Sequence, residues 1–71
     1  MGLKAGDRVF YHDWLARRTE GVIEDIDTGL MFIRLDGFNG KVSTTAQFLD
    51  GKWQAFRIGE GEYRDEIFKV I

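Results

Sequence analysis

Short runs in which apolar and polar residues alternate make up most of the chain. The clearest run is 30–35, where Met31, Ile33 and Leu35 share one face and Phe32 and Arg34 share the other. Alternation with a period of two is typical of a β-strand, whose successive side chains point to opposite faces. The pattern predicts extended segments at 7–12, 20–27, 30–35, 41–43, 52–58 and 62–71.

Glycines stand between these runs, and the chain has no proline. Asp27-Thr28-Gly29, Asp36-Gly37 and Asp50-Gly51 carry turn signals. An open sheet of such short strands would leave one face and two edges exposed, which favours closure. We therefore expect a single all-β domain over residues 1–71, a small five-stranded barrel with a C-terminal extra strand. The predicted core consists of Val9, Tyr11, Ile23, Ile26, Ile33, Leu35, Val42 and Leu49.

Three segments leave room for irregularity. The run 20–27 alternates imperfectly, which predicts a bulge or a strong bend. Thr44 or Thr45 can cap a short helical turn near residues 45–49. The stretch 62–71 has spacing compatible with a helix, although a strand paired with 52–58 is favoured.

Composition narrows the range of functions. The chain has 71 residues, a net charge of −2 and no cysteine. Neither disulfides nor thiolate metal ligands are therefore expected, and a cytoplasmic location is compatible. No stretch reaches the roughly 20 apolar residues that a membrane span needs, so we expect no membrane partner.

The pattern of three segments resembles SH3-like barrels, in particular domains of the Tudor and KOW types. The segments are 6–9 (GDRV), 21–27 (GVIEDID) and 33–40 (IRLDGFNG), so the resemblance covers about residues 5–50. It implies an SH3-like barrel. Tudor domains often hold methylated lysine or arginine in a cage of aromatic rings through cation–π attraction. KOW domains imply RNA and ribosomal or polymerase partners.

Carried onto this chain, the Tudor resemblance places Trp14 in the loop after the first strand and Phe38 after the third, with Asn39 beside it. The chain departs from the pattern near Arg18-Thr19, where the second strand usually supplies another aromatic ring. The resemblance therefore implies an incomplete cage of two rings.

Aromatic and arginine residues outside the predicted core form the candidate binding surface. They are Trp14, Phe38, Asn39, Phe32, Phe10, Arg17, Arg18 and Arg34. Aromatic and arginine side chains dominate interface hot spots. We therefore expect a non-enzymatic binding module or small regulator that docks on a protein or peptide. For Phe10 and Phe32 a structural role stays open, since either ring can pack under a loop or the C-terminal strand.

Two other functions stay open. A nucleic-acid-binding barrel would use Arg17, Arg18, Arg34 and Lys41, but the net negative charge disfavours it because phosphate contacts need clustered cations. A subunit of an oligomeric enzyme would have a site built at an interface. The apolar residues of 53–71 also suggest a homodimer through this region.

No catalytic set is evident. His12 has neither a second histidine nor a cysteine to share a metal with. Asp25, Asp27 and Asp36 fall near turns, where carboxylates are usually solvated. We therefore expect no catalytic residue, no metal and no cofactor.

Overall fold

The computed structural model of the chain describes residues 2–12, 17–57 and 60–70. These residues form an all-β structure, as predicted, with a short 3₁₀ turn at Phe38–Gly40. The strands are β1 (Arg8–His12), β2 (Arg18–Asp27), β3 (Leu30–Leu35), β4 (Ser43–Leu49), β5 (Lys52–Arg57), β6 (Glu62–Glu66) and β7 (Phe68–Lys69). No helix in this described part is long and apolar enough to cross a membrane.

The strands form one antiparallel sheet in the order β6-β5-β4-β3-β2-β1-β7. β6 and β7 lie at opposite edges, yet only Ile67 separates them along the chain. The sheet must therefore curl until its edges approach each other, and it forms a half-barrel. The described residues contain seven strands rather than the predicted five and one C-terminal extra strand, because the C-terminal stretch forms two strands, β6 paired with β5 and β7 paired with β1. The prediction of a strand rather than a helix in this stretch is confirmed.

The core lies on the concave face of the sheet. Its buried apolar residues are Val9, Tyr11, Ile23, Met31, Ile33, Leu35, Ala46, Ala55 and Ile67. Ile26 and Val42 pack against this cluster while partly exposed. The prediction that Leu49 belongs to the core is wrong: Leu49 is exposed, because β4 turns it away from the face that carries Ala46.

The predicted helical turn near 45–49 is also wrong, and β4 extends instead from Ser43 to Leu49. Thr44 and Ala46 alternate into the core, and both edges of β4 are paired, to β3 and to β5. Pairing on both sides outweighs the weak local preference of a capped turn. The β4–β5 turn has positive φ at Asp50 (52°) and Gly51 (80°), the geometry of a type I′ hairpin.

The imperfect alternation of β2 arises from a bulge, as predicted. The pairing of β2 with β3 shifts between Ile23 and Asp25. The shift lets Ile23 pair with Ile33 and Ile26 with Met31, so that both isoleucines face the core although they are three residues apart.

Gly21 lets β2 and β3 approach closely. It is buried and lies opposite Leu35 of β3. A Cβ atom on Gly21 would lie 2.5 Å from the backbone oxygen of Arg34 and 2.8 Å from Cγ2 of Ile33. A backbone oxygen cannot move aside as a flexible side chain can, so any side chain at this position strains the sheet.

One carboxylate is buried with a charged partner. The side chain of Asp65 is 2% exposed and pairs with the guanidinium of Arg57, whose Nε lies 3.1 Å from Asp65 Oδ1. The hydrogen bond to Asp65 raises the pKa of Arg57 against the opposing effect of desolvation. Each charge therefore depends on the other for its stability away from water.

We predict that Gly21→Ala lowers the free energy of unfolding by roughly 1–3 kcal/mol, the usual cost of overpacking. Gly2→Ala is the control, because a Cβ there would meet nothing within 4 Å. Urea denaturation measures both. Equal stability of the two variants would contradict the close approach at Gly21.

We predict that Asp65→Asn lowers the urea midpoint, because Arg57 would keep only Glu60, 3.6 Å away, as a carboxylate partner. Asp25→Asn is the matched control. Asp25 is exposed and makes no ion pair with any described residue. An equal effect of both substitutions would show that the buried pair is not stabilising.

Candidate functional site

Phe10 is the centre of an aromatic patch on the convex face of β1. It pairs with Phe68 of β7 in the sheet register, and the two rings stack with centroids 5.4 Å apart and planes at 28°. His12 meets the Phe10 ring edge-on at 5.9 Å. The Cζ atom of Arg18 lies 3.9 Å from the Phe10 centroid. We call Phe10, His12, Arg18 and Phe68 the Phe10 patch.

The patch combines packing with exposure. Phe10 is half-buried and packs against Phe68 of the C-terminal strand β7, while its role in binding stays a prediction. Phe68 remains 43% exposed. Arg18 over the ring face gains cation–π attraction while its guanidinium reaches solvent. The arrangement presents an aromatic face and a cation together at one surface.

The arginines near the patch are engaged by carboxylates. Arg18 Nε lies 3.3 Å from Glu20 Oε2. Arg8 bridges Glu20 and Asp36, and its hydrogen bond to Asp36 is the main reason that the pKa of Arg8 is raised. These pairs form a belt of balanced charge across the convex side of β1 and β2.

Arg34 is held in the same way on β3. Its Nε donates to Glu24 Oε2 at 2.8 Å, and its Nη1 donates to the carbonyl of Gly40. Ser43 donates to the other oxygen of Glu24 at 3.1 Å. Arg34 therefore ties the 3₁₀ turn to the sheet, a role that its sequence position alone does not indicate.

The strand ends that border the predicted site lie at one end of the sheet. β1 ends at His12, β2 begins at Arg18 and β3 ends at Leu35, and antiparallel neighbours place these three ends together. Trp14 and the side chain of Phe38 lie outside the described residues, so the predicted pair of rings stays a prediction. Arg17 is exposed just before β2.

The backbone conformation at position 39 favours asparagine over most other residues. Asn39 is exposed at the 3₁₀ turn with φ of 55°. Asn adopts this left-handed conformation more readily than most residues, because its short amide can bond locally.

Phe32 is not brought to the Phe10 patch. It lies on β3 with 42% exposure, and β2 separates it from β1. Its partners in register are Asp25 on one side and Thr45 on the other. The structure thus divides the predicted surface residues between two regions of the convex face.

Phe32 instead borders a second aromatic region. Phe56 and Tyr63 pair in register and meet edge-to-face at 5.2 Å. The hydroxyls of Tyr63 and Thr45 lie 2.9 Å apart, and Thr45 pairs with Phe32. We call Phe32, Thr45, Phe56 and Tyr63 the outer strip.

Of Phe68 and the residues of the outer strip, only Phe32 is in the binding surface predicted from the sequence. Phe56, Tyr63 and Phe68 enter the sequence analysis only as members of the apolar stretch 53–71. Alternation carries the signal: if Ile67 points inward, Phe68 must point outward, and if Ala55 points inward, Phe56 must point outward.

The candidate acid–base residues are dispersed. Asp25 and Asp27 each accept the backbone N–H of the following residue, at 2.9 and 2.7 Å, and Asp36 pairs with Arg8. Within residues 2–12, 17–57 and 60–70, no three histidine, aspartate or glutamate side chains form a group that could hold a metal ion.

No family model, curated protein or solved structure matches this chain.

We predict that the side-chain Nε and δ protons of Arg18 resonate upfield of those of Arg64 in proton NMR spectra, because protons above a ring face are shielded. Phe10→Leu should remove the difference while leaving Arg64 unchanged. Identical Arg18 shifts in the two proteins would contradict the stacked geometry.

Proposed function

We propose that this chain is a non-enzymatic binding module, an SH3-like barrel of the Tudor and KOW type, that docks on a protein or peptide partner. The observation that carries the proposal is the Phe10 patch. In this patch the exposed ring of Phe68 stacks on Phe10, and the guanidinium of Arg18 lies over the Phe10 ring. Phenylalanine and arginine are both enriched in protein interfaces, and arginine is among the residues that contribute most to interface affinity.

The fixed geometry of the patch supports docking. The ring stack and the pairing of β7 with β1 hold Phe10 and Phe68, and Glu20 holds Arg18. Side chains that are already ordered lose little conformational entropy when a partner binds. Trp14 and Phe38 are part of the same proposal, since the ends of β1 and β3 from which their loops continue share one end of the sheet.

The charge arrangement favours a protein over a nucleic acid. Arg18 and Arg34, two of the four cations that a nucleic-acid site would use, are bound by Glu20 and Glu24. A phosphate approaching either arginine would also meet the paired glutamate. Binding that relies on phosphate contacts needs cations whose charge is not already neutralised.

The test is affinity capture from the source cell, with the retained partner identified by mass spectrometry. We expect Phe68→Ala to weaken capture roughly tenfold, a typical hot-spot loss. Phe48→Ala is the matched control, because Phe48 is 50% exposed but lies on β4, away from the patch. Circular dichroism confirms that each variant is folded.

Trp14→Ala combined with Phe38→Ala tests the loop component in the same assay, and we expect loss of capture. Unchanged capture by all patch and loop variants would refute the proposal. Retention of nucleic acid alone, with affinity that falls steeply with salt, would replace it with the nucleic-acid alternative.

A further inference from the structure

The outer strip has a second row of residues beside it. The sheet register runs without a break from Asp27 on β2 through Leu30, Gln47 and Gln54 to Glu66 on β6. Residues opposite each other in an antiparallel sheet share a face. The convex side of β2 to β6 therefore carries two parallel rows. The first is the outer strip, which is mainly aromatic. The second has the neutral side chains Leu30, Gln47 and Gln54 in its middle and a carboxylate at each end, Asp27 and Glu66.

The carboxylates of these rows lack cationic partners. In the part of the chain that the structure describes, Asp25, Asp27 and Glu66 make no ion pair. Asp25 and Asp27 bond only to the next backbone N–H, each through Oδ1. Each therefore keeps its second oxygen for another donor.

The neighbouring cations do not balance this charge. Arg34, two residues from Phe32, is bound by Glu24. Lys52, two residues from Gln54 on β5, is a single positive charge, whereas the two rows contain three carboxylates. The face is apolar and neutral at its centre and acidic at both sides.

We propose that this face binds an extended basic segment of a protein partner, with cationic side chains at its two ends and apolar side chains between them. Strands lie about 4.8 Å apart, so the four steps from Asp27 to Glu66 span roughly 19 Å. An extended peptide advances about 3.3 Å per residue, so cations six positions apart match this span and point to the same side.

Phe32, Phe56 and Tyr63 add to this recognition. Their rings can bury the aliphatic parts of arginine, lysine or valine side chains, and ring faces attract a nearby cation. The Tyr63 hydroxyl is engaged by Thr45, so Tyr63 offers its ring rather than its polar end.

Other occupants fit less well. A second copy of this chain docked by a two-fold axis would place the same acidic rows against each other, which is repulsive. A nucleic acid would bring phosphates to Asp25, Asp27 and Glu66. A basic peptide is the complement in both charge and apolarity.

The test uses three synthetic heptapeptides, titrated by calorimetry and followed by amide NMR. Arg-Thr-Val-Thr-Val-Thr-Arg has the required spacing. Arg-Thr-Arg-Thr-Val-Thr-Val keeps the composition but moves both cations to one end, and Glu-Thr-Val-Thr-Val-Thr-Glu reverses the charge. We expect the first peptide to bind tightest and the third not to bind, with affinity that falls as salt rises.

Variants locate the site. We expect Phe32→Ala to weaken the first peptide roughly tenfold. Asp27→Asn with Glu66→Gln should weaken it roughly fivefold and remove its preference over the second peptide. The matched controls are Phe48→Ala and Asp50→Asn on the β4–β5 hairpin, which should bind as the parent does.

Any of three results would overturn the proposal. The first two are no binding of the first peptide at about 1 mM and amide shifts confined to residues outside β2 to β6. The third is equal binding of the first two peptides, since it would remove the role of spacing. The outer strip is separate from the Phe10 patch. If the peptide titration fails, the proposal that Phe68 mediates partner capture still stands. Conversely, loss of partner capture by Phe68→Ala does not change the expected result of the peptide titration.

Discussion

One short C-terminal segment pairs with β5 on one side of the sheet and with β1 on the other, and this double pairing holds the molecule together. The N–H of Ile67 donates to the carbonyl of Trp53 at 3.1 Å, and the N–H of Val70 donates to the carbonyl of Arg8 at 2.9 Å. Between them Ile67 contributes its side chain to the core. The backbone groups of β5 and β1 that would otherwise form open edges are therefore paired, and the sheet ends in the short strands β6 and β7.

Both candidate surfaces derive from this closure. Since Ile67 points inward, Phe68 must point outward, where β7 places it on Phe10. Glu66, the other neighbour of Ile67, points outward over β5 beside Gln54. One core residue thus orients two neighbours, Glu66 and Phe68, which belong to the two proposed binding surfaces.

Much of the fold follows from the sequence, because a period of two is a strong constraint where one face is buried. The alternation predicts both the inward-facing residues of β3 and the bulge in β2.

The full length of β4 is not predicted, because Thr44 and Ala46 are too small to give an apolar signal, and only pairing on both sides makes their burial necessary. Seven strands could not be counted in advance, because nothing local marks Ile67 as the point where the chain changes partner. The proposed surfaces could not be predicted from the sequence for a similar reason. The strand register places Asp27 and Glu66 in one row and Phe32 and Phe10 in different regions, and this register is a tertiary property.

The closure also affects how the chain is made. Phe10 and Phe68 stand near opposite ends of the sequence, so their contact has a high sequence separation and forms slowly compared with a hairpin. During synthesis β1 leaves the ribosome before β7 does, and the edge of β1 that pairs with β7 is unpaired until β7 has emerged. Exposed strand edges of this kind recruit other chains. The ion pairs of Arg8 with Glu20 and Asp36 place charged side chains next to that edge, and charged side chains are one means by which proteins protect exposed strand edges.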